Sequence, residues 1–302
     1  MKRILALILA MLMFTCLFAG CGSEEEGVDG KVDEIDSELW SVQEKGKLAI
    51  GMTLYKPMNY KDDEGNLTGF ETAFAKLVCR ELGVDAEFIE IMWDTKEINL
   101  TAEPVVGNAV ATDATDIRID CIWNGMAITE ERAAKMSFSQ PYLKDSQVIV
   151  VKASDAANFD AKLNNPETFA TFYTESGSVA SSVVKEEAIF GGAMPTEEET
   201  MHNALVAVRD TDAESFSAAV VSKSMALASV GAGKEFADLA IVPGKEFKPC
   251  EIAIAFRQNS DLKAKVDEII KKLMTPAEGE TESEFDKLVK KYGLGAMVIP
   301  KA

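Results

Sequence analysis

An arginine in the first half of the chain stands where it could bind a carboxylate. The apolar run at residues 119–123 ends in Asn124-Gly125, and Thr129 then begins a helix whose first turn carries Arg132. This layout directs backbone amides, the positive end of a helix and one guanidinium toward the same small volume. A guanidinium presents a planar pair of donors that matches a carboxylate. The segment therefore predicts capture of a small anion or zwitterion.

The elements that must position this segment alternate along the chain. Short apolar runs are separated by amphipathic stretches with helical spacing, which favours an α/β fold with a mainly parallel sheet. The predicted strands cover residues 47–53, 86–92, 120–123, 148–152, 171–173, 216–221, 240–242 and 251–256. The predicted helices cover residues 70–82, 129–134, 178–185, 197–208, 224–230, 262–273 and 284–292. Residues 60–67 predict a hairpin, and residues 99–116, which lack a clear period, predict an inserted surface loop.

The first twenty residues predict a secretory signal. Two basic residues precede an apolar run over residues 4–18, and Ala19-Gly20 stand directly before Cys21. Small residues before a cysteine resemble the lipobox of bacterial lipoproteins, which implies cleavage before Cys21 and a lipid on its thiol. An ordinary secretory signal that is cut elsewhere is the alternative. No later segment is long and apolar enough to cross a bilayer.

Composition argues against a nucleic-acid partner. The chain of 302 residues carries 50 acidic and 31 basic side chains, a formal net charge of -19, so it lacks a basic surface that neutralises phosphates. Residues 21–44 are rich in acids with little apolar area to bury, which predicts a solvated tether. The remaining residues, 45–302, suffice for one large domain or two lobes.

Cysteine and histidine usage predicts neither a disulfide framework nor a metal site. If Cys21 is lipidated, the mature chain keeps Cys79, Cys121 and Cys250, and an odd number excludes complete pairing. Cys121 and Cys250 both lie in strand-like runs and could pair if those strands were neighbours. The single histidine, His202, lacks a Cys or His partner along the sequence, so we expect no metal, no cofactor and no histidine acid-base chemistry.

Five short motifs, in this order, resemble the bacterial extracellular solute-binding proteins of family 3, the polar amino-acid receptors of ABC importers. The motifs are Gly46-Lys47-Leu48-Ala49-Ile50-Gly51, Gly65-Asn66-Leu67-Thr68-Gly69-Phe70-Glu71, Ile128-Thr129 with Arg132, Phe138-Ser139-Gln140-Pro141-Tyr142 and Ser176-Gly177-Ser178. The likeness covers about residues 45 to 295 and is strongest in the first hundred of them. Each motif alone is common, but five in the order of the family, behind a lipobox, are specific.

The resemblance implies a two-lobe fold of the type II periplasmic-binding class, with a ligand between the lobes and closure by a hinge. Two crossing strands would join the lobes near residues 148–152 and 243–247. Lobe 1 would comprise residues 45–147 and 248–302, and lobe 2 residues 148–247.

The resemblance also assigns residues of lobe 1 to the ligand. Arg132 would hold an α-carboxylate, the backbone at Gly125 and Ala127 would receive the ammonium and carboxylate, and Tyr55 and Trp93 would flank the aliphatic part. Plain core packing is the alternative for the two aromatic residues, and a surface ion pair with a neighbouring glutamate is the alternative for Arg132. The family usually has Ser or Thr where Ala127 stands.

In lobe 2 the family pattern is less complete. Gly177 and Ser178 would donate amides at a helix N-terminus, although Ser178 can equally be a simple helix cap. Ser222 stands where the family places an aspartate for the ligand ammonium. Either another acid, such as Glu175 or Glu214, replaces that aspartate, the ligand lacks an α-ammonium, or the register of this lobe is shifted.

The sequence thus predicts a lipid-anchored, monomeric receptor on the extracytoplasmic face of a bacterial membrane. It would deliver a small polar solute, an amino acid or related carboxylate, to an ABC permease and would not be an enzyme. Two alternatives remain: a dehydratase-like enzyme on the same scaffold, and a signalling or interaction module whose cleft has drifted.

Overall fold

The computed structural model describes residues 37–101, 117–212 and 215–299, in which strands and helices alternate. The strands are β1 (Lys47–Met52), β2 (Tyr60–Lys61), β3 (Leu67–Thr68), β4 (Asp85–Glu90), β5 (Cys121–Ile122), β6 (Ser137–Phe138), β7 (Leu143–Lys152), β8 (Ala170–Glu175), β9 (Thr196–Glu198), β10 (Phe216–Ser222), β11 (Leu239–Ile252) and β12 (Ala255–Phe256). The helices are α1 (Glu38–Glu44), α2 (Phe70–Leu82), α3 (Lys96–Thr101), α4 (Glu130–Ala133), α5 (Phe159–Leu163), α6 (Val179–Glu186), α7 (Met201–Asp210), α8 (Lys223–Ser229), α9 (Asp261–Leu273) and α10 (Glu284–Lys291).

Two five-stranded sheets divide these elements into two lobes. The strand order is β4-β1-β5-β12-β6 in lobe 1 and β11-β7-β10-β8-β9 in lobe 2. β1 runs parallel to β4 and β5, and β8 runs parallel to β9 and β10, as the alternation of strands with helices predicts. β12 pairs antiparallel with β5 and β6, and β7 pairs antiparallel with β10 and β11. The predicted two-lobe α/β fold is confirmed.

Two long antiparallel strands, β7 and β11, cross between the lobes. At their lobe 1 end Leu143 pairs with Ile252, which also bridges Ala127. Toward the other end β7 lies between β10 and β11 inside the sheet of lobe 2. Because the expected crossing regions, residues 148–152 and 243–247, both fall within this strand pair, the lobe boundaries placed there stay a prediction.

A bulge interrupts β11 where it passes the space between the lobes. Phe247 pairs with Gln147 and Cys250 pairs with Asp145, so two residues of β11 stand opposite one residue of β7. Lys248, within the bulge, has a φ of 42°. A bulge bends its strand and changes the direction of nearby side chains.

Helix α2 shows how the sequence builds the core of lobe 1. Phe70, Phe74 and Val78 recur at helical spacing and are fully buried. Phe74 packs against Phe285 of α10 with ring centroids 5.2 Å apart. The helix ends at Gly83, whose φ of 76° suits glycine because it has no Cβ.

The sheet of lobe 2 is buried on both faces. Ile149, Phe172 and Val220, from three neighbouring strands, pack with Val183 of α6 on one face. Alternate residues such as Val221 point to the other face and join the larger core cluster. Strands covered on both sides read as near-continuous apolar runs, which explains why the sequence pattern located them.

The prediction of a solvated tether is wrong for residues 38–44. Glu38–Glu44 form helix α1, in which Val42 is 1% exposed. Glu38 accepts a charged hydrogen bond from Arg257, just before α9. The many acidic residues made this segment look fully solvated, although one face of the helix is apolar. The part of the predicted tether before residue 37 lies outside the described residues.

The helix predicted at residues 197–208 begins later. Thr196–Glu198 form the edge strand β9, which pairs in parallel with β8. Thr200 then caps α7, because its side chain accepts from the amide of Asn203. Charged side chains are common on edge strands, where they oppose further pairing.

The three cysteines in the described residues are free. Cys79 is buried in α2. Cys121 lies in β5 of lobe 1, and Cys250 lies in β11, which pairs with β7 rather than with β5. The pairing of Cys121 with Cys250 that the sequence left open is therefore not formed.

Several sequence predictions fall outside the described ranges. They concern the signal and lipidation site at residues 1–21, the loop at residues 102–116, and Glu214. The beginning of that predicted loop belongs to α3, which extends to Thr101. Across the ranges that are described, none of the helices has the length and apolar character needed to cross a bilayer.

Candidate ligand-binding site

A cavity between the lobes brings together eight of the nine residues predicted to bind a ligand. The predicted residues that line it are Tyr55, Trp93, Gly125, Ala127, Arg132, Glu175, Ser178 and Ser222. The lining residues that the sequence did not single out include Asn124, Asp145, Gln147, Cys250 and Ile252. The ninth predicted residue, Gly177, lies at the edge of this group and contacts it through its carbonyl.

Arg132 is buried at the cavity and bridges the lobes. Its amide donates to the Thr129 hydroxyl, 3.2 Å away, which places it in the first turn of α4 as predicted. Nη1 donates to the Ala127 carbonyl at 3.0 Å, and Nη2 donates to the Gly177 carbonyl at 3.3 Å. Its side chain is 8% exposed and enters no ion pair within the described part of the chain, so a surface ion pair does not account for it.

Lys96 is a second buried cation that the sequence reasoning missed. Its side chain is 3% exposed, and Nζ donates to the carbonyls of Trp93 at 2.8 Å and Gly177 at 3.1 Å. Nζ also lies 4.8 Å from the centroid of the Trp93 ring. Burial, together with the charge of Arg132, lowers the pKa of Lys96 to about 8. Its position three residues after the predicted Trp93, one helical turn away, was the available signal.

Asp145, at the crossing strands, is a carboxylate that the sequence did not single out. It accepts from the Ser224 hydroxyl at 2.6 Å and from the Ser224 amide at 3.2 Å. Burial raises its pKa to about 6, and the bonds from Ser224 partly offset this. Asp145 lies among the polar residues Lys144, Ser146 and Gln147, before the apolar run of β7 begins at Val148, so the local sequence gave no signal for it.

Glu175 ends β8 close to the two cations. It is 3% exposed, and burial raises its pKa to about 8, although the charges of Lys96 and Arg132 act in the opposite direction. Neither Glu175 nor Asp145 belongs to an ion pair among the residues that are described. Arg132 and Glu175 therefore line the cavity with Lys96 beside them, and Asp145 lines it at the crossing strands.

The serines of lobe 2 act mainly on helix ends. The Ser222 hydroxyl accepts from the Met225 amide at the start of α8 and lies 3.1 Å from the Ser224 hydroxyl. Ser178 caps α6 through its hydroxyl, and its amide donates to the Glu175 carbonyl at 3.3 Å. The helix-cap alternative for Ser178 is thus realised, and Gly177 presents its carbonyl to Arg132 where an amide donor was expected.

Tyr55 combines the two roles that the sequence left open. It is 6% exposed, belongs to the core cluster and also lines the cavity. Gly125 has a φ of 58°, and a Cβ at that position would overlap the Tyr55 hydroxyl. Trp93 is likewise 6% exposed, packs in a smaller apolar cluster and carries Arg132 6.0 Å from its ring centroid.

The sequence of this chain matches a family model and several characterised proteins. The model of the bacterial extracellular solute-binding proteins, family 3, matches residues 48–295. The arginine-binding extracellular protein ArtP of Bacillus subtilis (strain 168) is 26% identical over 298 residues, 98% of this chain and 99% of that protein. The L-cystine-binding protein TcyJ of Escherichia coli (strain K12) is 33% identical over 119 residues, 39% of this chain and only 40% of that protein.

Solved structures share the fold. The structure of an ancestral amino acid-binding protein, a precursor of cyclohexadienyl dehydratase, aligns with a TM-score of 0.66 and 26% identity, covering 85% of this chain and 99% of that one. A substrate-binding protein of an ABC uptake transporter from Streptococcus pneumoniae, with bound histidine, aligns with a TM-score of 0.68 and 21% identity over 86% and 97% of the chains. With its two lobes, its crossing strands and a family match that covers most of its length, this chain belongs to the bacterial extracellular solute-binding proteins of family 3.

Proposed function

We propose that this protein is an extracytoplasmic receptor that binds a zwitterionic amino acid between its lobes for an ABC importer. The observation that carries the proposal is the separation of buried charge across one cavity. Arg132 lines the cavity and Lys96 lies beside it, both donating to the Gly177 carbonyl, and neither forms an ion pair among the described residues. Asp145 lines the same cavity at the crossing strands. A buried charge is costly unless it is paired, so such groups favour a ligand with complementary charges.

The ligand carboxylate belongs at the Arg132 end. Among the described residues, two of the five donors of this guanidinium are used, in the contacts with Ala127 and Gly177. The remaining donors can take a carboxylate in the bidentate manner that arginine favours. Lys96 adds a second positive charge beside it, and Trp93 and Tyr55 offer flat surfaces for the aliphatic part.

The ligand ammonium belongs at Asp145. β10 pairs with β7 so that Ser222 stands opposite Gln147, which places Asp145 close to the position where the family pattern has its aspartate. The Ser222 and Asp145 side chains are also close to each other, because the Ser224 hydroxyl contacts both of them. Glu175 is less suited to this role, since its neighbours are the two cations.

The proposed location is the outer face of a bacterial membrane, with a lipid on Cys21 and a permease of an ABC importer as partner. The lipobox-like residues before Cys21 and the extracellular family support this location. Replacement of Cys21 by serine should release the protein from the membrane fraction. A membrane-bound Cys21→Ser variant would contradict the anchor and leave the receptor role untouched.

A ligand screen tests the receptor role. Mature protein is heated with single L-amino acids, L-cystine, organic acids and amines, and the unfolding temperature is recorded. A ligand at a hundred times its Kd stabilises the folded state by about 2.7 kcal/mol, which raises the unfolding temperature by about 5–10 °C. Arg132→Lys should abolish the shift and the matched exposed variant Arg209→Lys should keep it. A well-folded protein that no amino acid stabilises would refute the proposal.

One observation supports a second candidate, an enzyme on the same scaffold. Glu175 is a buried acid whose pKa of about 8 keeps it protonated at neutral pH, and it lies beside Lys96. A neutral carboxylic acid in a cleft can act as a general acid, as a dehydratase requires. Turnover of prephenate-like or arogenate-like substrates, abolished by Glu175→Gln, would favour the enzyme. An absence of turnover alongside tight amino-acid binding would favour the receptor.

A further inference from the structure

A buried carboxylate that does not line the cavity contacts the lining residue Gly125. Glu71, in the first turn of α2, is fully buried. The Gly125 amide donates to both of its oxygens, at 2.9 and 2.8 Å. This contact turns the Gly125 amide away from the cavity and fixes the cleft-lining turn from behind.

The same turn is held from two further sides. The Tyr55 hydroxyl occupies the space where a Gly125 side chain would stand. Asn124 accepts from Asn59 at 2.9 Å and donates to the Thr53 hydroxyl at 2.6 Å. Asn59 also donates to Glu71 at 3.3 Å, so these contacts of the turn belong to one buried network, in which Glu71 is the only carboxylate among the described members.

Glu71 also reaches the crossing strands. The Tyr142 hydroxyl donates to Oε1, the oxygen that Gly125 shares. Tyr142 immediately precedes β7, and its amide donates to the carbonyl of Ile252 on β11 at 3.0 Å. One carboxylate thus joins the cleft turn to both strands that cross between the lobes.

We propose that Glu71 is a positioning residue whose ionised carboxylate couples the Gly125 turn to the crossing strands, so that its protonation weakens ligand capture. The inference rests on the proposed amino-acid receptor for its effect on binding. A proton on one oxygen leaves fewer acceptor sites for the Gly125 amide, which can only donate, and competes with the bond from the Tyr142 hydroxyl, whose oxygen can also accept. The turn then loses one of the hydrogen bonds that hold it in place. Ligand binding must order the turn, and the entropy cost of doing so weakens the affinity.

The surroundings of Glu71 allow this protonation near neutral pH. Burial raises its pKa to about 7, while the bonds from Tyr142, Gly125 and Asn59 act in the opposite direction. The titratable groups that face it are Tyr142, Tyr55 and Asp145, and each is neutral or negative. Its described contacts contain no cation that would hold it ionised.

The first arm of the test needs no ligand. The amide resonance of Gly125 is followed by NMR between about pH 5 and pH 9 in the wild type, in Glu71→Gln and in the control Glu64→Gln. Glu64 is an exposed carboxylate in the turn between β2 and β3. We expect the Gly125 amide to titrate near pH 7 in the wild type and the control, and to lose this transition in Glu71→Gln. A Gly125 amide that does not titrate in the wild type would overturn the inference.

The second arm measures capture. The Kd of L-arginine, L-histidine and L-cystine is measured by calorimetry over the same pH range. For each probe that binds, Kd should rise severalfold as the pH falls through about 7, where Glu71 takes up a proton. Glu71→Gln should lack this rise. It should keep a second rise of Kd near pH 6, where Asp145 takes up a proton. Identical pH profiles in Glu71→Gln and wild type would overturn the coupling. If no amino acid binds at any pH, the receptor role fails, whereas the Gly125 titration still decides whether Glu71 positions the turn.

Discussion

At the scale of single residues, the carboxylate that we assign to the ligand ammonium lies on a crossing strand. Asp145 occupies β7, and Ser222, at the expected position, caps α8 instead. The Ser224 hydroxyl contacts the side chains of both Ser222 and Asp145. A carboxylate at either position would therefore put its negative charge in nearly the same part of the cavity.

We expect Asp145→Asn to weaken amino-acid binding by about 2–5 kcal/mol, which is roughly thirty- to several-thousand-fold in Kd. Adding Ser222→Asp to this variant should restore much of the affinity, since aspartate also caps helices well. Calorimetry of both variants measures the effect. The control variant Asp160→Asn, at an exposed aspartate of lobe 2, should bind like wild type. Failure of the double variant to recover would argue for Glu175 as the ammonium partner.

Glu175 predicts a dependence of stability on pH. Its carboxyl has a pKa of about 8 when folded and an ordinary value of 4.5, so between these values the folded chain holds a proton that the unfolded chain has lost. This stabilisation is present below about pH 4.5 and disappears as the pH rises through 8. Glu175→Gln should therefore gain stability relative to wild type at pH 8, by on the order of 2–4 kcal/mol. Urea unfolding at several pH values measures it, and parallel curves for both proteins would contradict it.

At the scale of elements, the turn after β5 depends on glycine for two separate reasons. Gly125 combines a positive φ with the Tyr55 hydroxyl against its Cα. Gly83 at the end of α2 has a positive φ as well, but open space around it. A substitution at Gly83 therefore introduces backbone strain alone, whereas one at Gly125 introduces both backbone strain and steric overlap.

Gly83→Ala should cost about 1 kcal/mol of stability, the usual cost of a left-handed conformation with a Cβ. Gly125→Ala should cost about 2–4 kcal/mol, since Tyr55 must also move, and should weaken ligand binding at least tenfold. Chemical unfolding and calorimetry measure both variants. Equal effects of the two substitutions would show that the packing of Tyr55 on the turn is unimportant.

Helix α1 is a structural element of lobe 1. A chain that begins at residue 45 should be less stable than one that begins at residue 35 by about 2–4 kcal/mol, because it loses the burial of Val42 and the bond from Arg257 to Glu38. Urea unfolding of the two chains measures the difference. Equal midpoints would mean that these residues act as a tether after all.

At the scale of the whole molecule, a few contacts hold the lobes against each other. Arg132 and Lys96 of lobe 1 both donate to the Gly177 carbonyl of lobe 2, and Lys56 lies 3.8 Å from Glu235 across the same boundary. Each contact joins a cation of lobe 1 to an acceptor of lobe 2, so together they stabilise the arrangement in which the lobes meet.

Lys96→Met should shift the free protein toward an open arrangement. A hydrogen bond from a charged donor contributes about 1.5–3 kcal/mol, which changes the ratio of closed to open molecules by about ten- to a hundredfold. Small-angle X-ray scattering should show a larger radius of gyration for this variant and no change for the exposed control Lys61→Met. An unchanged radius would mean that closure does not depend on Lys96.

The sequence alone determined the features that local spacing encodes. The strand run, the Asn124-Gly125 turn and Arg132 lie within one short segment, and the buried α2 face follows from helical periodicity. Motif order then identified the family, and eight of the nine residues it selected from both lobes line one cavity.

Only the tertiary structure decided which partners the buried charges meet. Lys96 and Gly177 are 81 positions apart, and Asp145 and Ser224 are 79 positions apart, so no local pattern links them. Burial also set their chemistry, because the pKa of Lys96, Asp145 or Glu71 depends on the water that surrounding elements exclude. A sequence pattern specifies which side chains a turn presents, whereas desolvation and pairing between lobes arise only when distant strands come together.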